Sequence, residues 1–194
     1  MNRQSIVVGS LGIVVGFIFG YFLALGIQPG ATPSMTGGSA DSGLPENHPS
    51  PEVMQQLQAL LEQAQANPED SRVRVALGNT YYDMNRFDAA IPWYEEAMKL
   101  NPSDVHVSTD LGTAYLYQGQ TEKAIQRYQE SLIIEPNHPQ TLQNLGIAYF
   151  TEGDYQEAMD IWNRLIDAHP NYPQAEEIRN QIKTAEAHLK SESS

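Results

Sequence analysis

Apolar residues are laid along this chain in two different ways. From Ile6 to Gly26 they run almost unbroken, as IVVGSLGIVVGFIFGYFLALG, with no charged side chain. From position 51 onward they recur at helical spacing among polar residues, starting with Val53, Leu57, Leu60, Leu61 and Ala64. As a helix rising ~1.5 Å per residue, the first run covers roughly 31 Å, about the thickness of bilayer hydrocarbon. It predicts a transmembrane helix over 6–26 behind a short cytoplasmic N-terminus, 1–5. The later pattern predicts amphipathic helices that bury one stripe each. Between them, QPGATPSMTGGSADSGLPENHPS is dense in Gly, Pro and Ser and buries too little apolar surface to offset its ordering entropy. Residues 27–50 are therefore expected to form a flexible linker, spanning roughly 25–30 Å as a coil. His48, near its end, is expected in a turn before the first helix.

A cleaved signal peptide would also end on small residues such as Ala24 and Gly26, but such signals have apolar cores of only ~7–15 residues. The length favours an uncleaved anchor. Arg3 flanks the run on one side, and no Lys or Arg follows on the other until Arg72. By the positive-inside rule the N-terminus stays in the cytoplasm. The remaining chain then lies outside the plasma membrane, in the periplasm of a Gram-negative cell. Gly12, Gly16, Gly20 and Ala24 fall four residues apart, a small-residue stripe along which a second helix can pack closely, as a homodimer or with another membrane helix. Glycine is also simply common in membrane helices.

Past position 66 the chain repeats every 34 residues, in blocks beginning at Ser71, Val105 and Pro139. Leu77-Gly78 recurs as Leu111-Gly112 and Leu145-Gly146, then Tyr81 as Tyr115 and Tyr149, Ala90 as Ala124 and Ala158, and Tyr94 as Tyr128 and Trp162. A glycine inside a helix costs about 1 kcal/mol relative to alanine, so its repetition calls for a close helix crossing. The matching alanine is expected to supply the facing flat surface. Asn85, Gly119 and Gly153 share one position between the two helices of each block, where a left-handed residue ends a helix. Pro68, Pro102, Pro136 and Pro170 mark the block boundaries and stop the second helices.

Blocks with this Leu-Gly-x-x-Tyr, Ala and Pro pattern resemble tetratricopeptide repeats, over Ser71 to Tyr172. The resemblance implies an all-α helix-turn-helix solenoid: a half-repeat at 51–70, repeats at 71–104, 105–138 and 139–172, a capping helix at 173–190 and a tail at 191–194. The cap carries Ala175, Ile178, Ile182, Ala185 and Leu189 on one stripe, as an open-ended stack requires. Two departures stand out. The fourth position, often Trp or another large apolar residue in that family, holds Arg74, Ser108 and Leu142, and Ser131 replaces an expected alanine. Both are expected to loosen packing between blocks. Pro92 sits near enough to the start of its helix to be tolerated.

The resemblance further implies that the first helix of each pair lines a concave groove for a protein or peptide. Carried over position by position, the groove comprises Arg72, Val75, Asn79, Tyr82 and Asp83 from the first block. The second contributes His106, Thr109, Thr113, Leu116 and Tyr117, and the third Gln140, Gln143, Ile147, Phe150 and Thr151. One subclass of the family clamps a terminal carboxylate with Lys, Arg and Asn. Its positions here hold Val75, Asp110, Gln140 and Asn144, and only Asn79 agrees, so recognition of acidic chaperone tails is not expected. An apolar groove among uncharged polar residues suits an amphipathic helix or extended apolar peptide, although some of these side chains may instead pack against neighbouring helices.

Charge narrows the partners. All 24 acidic residues but only 10 of the 11 basic ones follow the apolar run, giving 10 − 24 = −14 beyond it. Such a surface repels nucleic acid, which needs clustered cations. The absence of cysteine removes thiolate chemistry and Cys-based metal sites. No nucleophile elbow, zinc-protease helix, phosphate loop or dinucleotide fingerprint occurs in the sequence. Histidines 48, 106, 138, 169 and 188 fit no metal spacing and are expected to be solvated, and Glu95 is expected to pair with Lys99 as surface charge. No enzyme activity, cofactor or metal is expected. The layout resembles components of c-type cytochrome maturation, where repeats hold an apocytochrome, and translocon-associated periplasmic chaperones. A membrane-anchored scaffold or chaperone is therefore expected, with a structural homo-oligomer lacking any client as the other class.

Overall fold

The computed structural model describes residues 49–192. The predicted N-terminus, membrane span and linker as far as residue 48 lie outside the described residues, and with them Gly12, Gly16, Gly20, Ala24 and His48. Among the described residues there are eight helices and no strand, and no helix is long and apolar enough to cross a membrane. They are α1 (Pro51–Ala66), α2 (Ser71–Asp83), α3 (Phe87–Leu100), α4 (Val105–Tyr117), α5 (Thr121–Ile134), α6 (Pro139–Glu152), α7 (Tyr155–Ala168) and α8 (Ala175–Glu192). Each packs on its neighbours in chain order, and α4 additionally meets α6. The pairs α2–α3, α4–α5 and α6–α7 are the hairpins of the three blocks, α1 precedes them, and α8 covers the last.

Local chemistry sets the hairpin ends. Asn85, Gly119 and Gly153 adopt φ of +56°, +71° and +90°, the left-handed turn expected between paired helices. At the other end, Asn67, Asn101, Glu135 and His169 each precede a boundary proline and sit at φ between −130° and −136°. The proline ring clashes with a helical conformation of the residue before it, so all four second-type helices stop at the same place. Helix α3 runs through Pro92, which lies exposed on its surface.

The repeated glycines meet a different surface from the one expected. A β-carbon on Gly78 would lie 2.5 Å from the Tyr94 ring, on Gly112 2.7 Å from Tyr128, and on Gly146 2.2 Å from Trp162. Each glycine thus makes room for the aromatic ring sixteen positions later, not for the alanine. Those rings are at most 1% exposed, and Ala90, Ala124 and Ala158 are fully buried as well. The Trp162 indole also donates to the Gln143 carbonyl at 3.2 Å, so the ring is pinned.

The two departures from the repeat pattern prove to be coupled. Ser108 and Ser131, 1% and 0% exposed, hydrogen-bond to each other at 2.7 Å, and the Ser131 hydroxyl also lies 2.9 Å from the Arg127 carbonyl oxygen. A large apolar side chain is missing at that point, and a pocket of about 480 Å³ opens beside it, lined by Met98, Pro102, Leu111 and Ile134 among others. Arg74, by contrast, is buried and fully used: it donates to the Asn67 and Asp70 carbonyls at 3.2 Å and pairs with Glu96 at 3.5 Å.

Gly146→Ala is expected to destabilise the protein by about 1–3 kcal/mol, because overpacking against a pinned ring outweighs the ~1 kcal/mol gain in helix propensity; urea unfolding measures it. Ser131→Ala should cost on the order of 1 kcal/mol, because the buried Ser108 hydroxyl loses its 2.7 Å partner and keeps only the long 3.5 Å bond that it donates to the Arg127 carbonyl. A double-mutant cycle with Ser108→Ala is expected to show a smaller loss than the sum of the two single changes.

Candidate functional site

Helices α2, α4 and α6 present one common face, tied across the blocks by side chains. Tyr82 of α2 lies 6.1 Å from Tyr117 of α4 between ring centroids, and Phe87 stacks on Tyr117 at 4.8 Å. Thr109 of α4 bonds Thr141 of α6 at 2.6 Å, and the Asn144 amide donates to Thr113 at 3.0 Å. Most of the expected groove residues appear here with open surface. Arg72, Asn79, Asp83, His106, Tyr117, Gln140 and Thr151 are exposed; Val75, Tyr82, Thr113, Leu116, Gln143, Ile147 and Phe150 are half-buried. Tyr117 is 63% exposed, unusual for an aromatic side chain.

Thr109 does not belong to this surface. It is fully buried, because its hydroxyl serves the junction between the second and third blocks. It lies 2.7 Å from the Val105 carbonyl oxygen and 2.6 Å from the Thr141 hydroxyl, which in turn lies 2.7 Å from Nδ1 of His138. His138 is therefore not a solvated junction residue: it is 5% exposed and its ring lies edge-on to His106 at 4.9 Å. Burial, followed by the nearby His106 and His169, holds its pKa below the ordinary histidine range against the opposing pull of Glu135. Glu95 also departs from expectation, accepting the Tyr115 hydroxyl at 2.5 Å instead of pairing with Lys99. Among the described residues no group of three or more His, Asp or Glu side chains could hold a metal ion.

The residues missed by the groove assignment sit at two places. At the far end, Ile147, Phe150 and Trp162 line an apolar pocket of about 240 Å³ with Gln181 and Thr184 of α8. His188 of the same helix stacks on Tyr155 at 4.7 Å and faces Phe150. Adding one 34-residue period to Ile147 and Phe150 gives Gln181 and Thr184, so continuing the repeat into the capping helix would have found them. The other is Asp110, at the sixth position of its block. Burial pushes its carboxyl up to about 6, with Asp104 adding to the shift and His106 opposing it. Its charge in turn contributes to raising Tyr82, Tyr94 and Tyr128, for each of which burial is the largest cause; Tyr82 reaches about 12.

This arrangement is a tetratricopeptide-repeat solenoid, a class of domain that mediates contacts between proteins. Residues 43–174 match the family model described as the cytochrome c-type biogenesis protein H TPR domain, and the chain belongs to that family. No curated protein matches the chain. Among solved structures, the crystal structure of MamA protein is similar at a TM-score of 0.61 and 19% identity, covering 72% of this chain and 80% of that one. The first TPR of Spaghetti (RPAP3), bound to HSP90 peptide SRMEEVD, has a TM-score of 0.57 at 21% identity and covers 62% of this chain and 95% of its own. The Arabidopsis OM64 TPR domain gives 0.57 at 22%, covering 61% and 98%. At these identities the likeness is one of fold.

A carboxyl raised by burial favours the folded state only while it is protonated, so its contribution is lost as pH rises through about 6. Asp110→Asn is therefore expected to match the parent in stability near pH 4 and to exceed it by on the order of 1–3 kcal/mol above pH 7. Urea unfolding of both proteins across that range measures the difference.

Proposed function

We propose that this chain is a membrane-anchored scaffold that holds a protein client against the shared face of α2, α4 and α6, outside the plasma membrane. The observation that carries the client-binding part is the run of half-open apolar and aromatic side chains on that face, from Tyr82 and Tyr117 through Leu116 to Ile147 and Phe150. Such a surface gives an amphipathic helix its apolar anchors. The anchor and its direction rest on the uncharged run 6–26 and on Arg3. Family membership favours one specific client: an unfolded c-type cytochrome precursor, held while haem is attached. No catalytic step is assigned to the chain. A structural role in which copies of the chain meet one another, through the repeat face or the stripe of Gly12, Gly16, Gly20 and Ala24, is the competing class.

A photo-crosslinker in place of Phe150 or Leu116, activated in native membranes, is expected to trap a distinct protein, and an apocytochrome among the adducts would establish the maturation role. Adducts only between copies of the chain would favour the structural role. Alkaline phosphatase fused after Ser194 is expected to be active, since it folds only outside the cytoplasm; an inactive, intact fusion would contradict the orientation.

A further inference from the structure

The sixth position of the blocks holds different chemistry at the two junctions between repeats. At the second junction Asn144 donates to Thr113 at 3.0 Å, and Thr113 also accepts the Tyr128 hydroxyl at 3.1 Å. That polar trio is closed. One period earlier the same positions are Asp110, Asn79 and Tyr94, and the Tyr94 hydroxyl donates to the Asn79 side-chain oxygen at 2.8 Å. The aspartate replaces the amide that closes the trio at the other junction, and it brings an anion where the repeat geometry has a neutral donor.

No ion pair among the described residues involves Asp110. The arginines of the first block are engaged elsewhere: Arg72 with Asp70 at 2.8 Å, Arg74 with Glu96, and Arg86 over the Tyr81 ring at 5.6 Å. The Asp110 charge reaches Tyr82, Tyr94 and Tyr128 and contributes to raising each of them, and Tyr82 continues into the stacked pair Phe87 and Tyr117. A partly desolvated carboxylate outside any ion pair, with only His106 one helical turn away to oppose its charge, beside the half-open Tyr82 and the exposed Tyr117 that it meets, attracts a cationic side chain twice, through charge and through ring quadrupoles.

We infer that the groove takes a basic residue of its partner at Asp110, so that the preferred client segment is an amphipathic helix carrying Lys or Arg among its apolar anchors. The inference rests on the groove reading above and adds its charge. Complementarity selects the occupant: the carboxylate is in no ion pair, Asp104 lies near it and Asp83 near Tyr82, and the chain beyond the apolar run carries −14. The peptide in the similar RPAP3 structure, SRMEEVD, is acidic toward its end, and a groove with Asp110 at its sixth position would repel that kind of ligand. Asparagine fits the same position at the next junction, so the aspartate is not demanded by the fold.

The test is selection of a displayed library of helical peptides on the full-length chain in detergent, in parallel with its Asp110→Asn variant, which the stability argument says will fold. Peptides enriched on the parent are expected to share a Lys or Arg between apolar residues, and those enriched on the variant to lack that preference. For a selected peptide, changing the basic residue to norleucine should weaken binding to the parent about tenfold and to the variant by less than about twofold. Apolar peptides enriched equally on both proteins, with no basic position, would overturn this inference while leaving the groove intact. Failure of the parent to enrich any peptide would overturn the groove reading and this inference together.

Discussion

Everything in the repeat stack depends on how closely the two helices of each hairpin approach, and that distance is set by one contact: a glycine backbone against the face of a fully buried aromatic ring. The contact occurs three times, at Gly78 with Tyr94, Gly112 with Tyr128 and Gly146 with Trp162. Because a β-carbon has no room there, each glycine lets the two helices of its hairpin approach more closely than any other residue would. The polar edge of each ring is then carried toward the inner face, where Tyr94 reaches Asn79, Tyr128 reaches Thr113 and Trp162 reaches the Gln143 carbonyl. Hairpin packing and groove chemistry are thus two ends of the same side chains.

That coupling explains why a single change at the sixth position matters. With Asn144 the inner polar atoms of the second junction satisfy one another, whereas Asp110 leaves a charged group half-buried at the first. Burial of an unpaired charge works against folding, and a site kept at the expense of stability is where binding chemistry is expected. The neighbouring histidine relay through Thr141 and Thr109 is the contrasting case, a polar chain satisfied from end to end within the fold.

Much of the fold was legible from residue spacing, because glycine, proline and aromatic residues at fixed offsets each impose a local geometry. The left-handed turns at Asn85, Gly119 and Gly153 and the helix stops before the four prolines follow from backbone sterics alone. What spacing could not give was which atom fills a close approach. Alanine looked like the partner of each glycine because both are small, yet the ring sixteen residues on occupies the space. The positions assigned to the groove have open surface except at Thr109, where the same offset that leaves Val75 and Gln143 half-open is closed by a hydroxyl chain to His138. The contribution of α8 to the far pocket was hidden because the capping helix lacks the repeat's signature residues while keeping its place.

The central claim is that the face built from α2, α4 and α6 is covered by a protein partner in the membrane setting. Hydroxyl-radical footprinting of the full-length chain, in native membranes and after purification, tests it directly. The account predicts that Tyr82, Tyr117 and Phe150 are oxidised markedly less in membranes than in the purified chain, while Ile133, 81% exposed on the opposite helix of its hairpin, reacts alike in both. Equal oxidation of the three aromatic residues in the two preparations, or protection confined to Ile133, would contradict it.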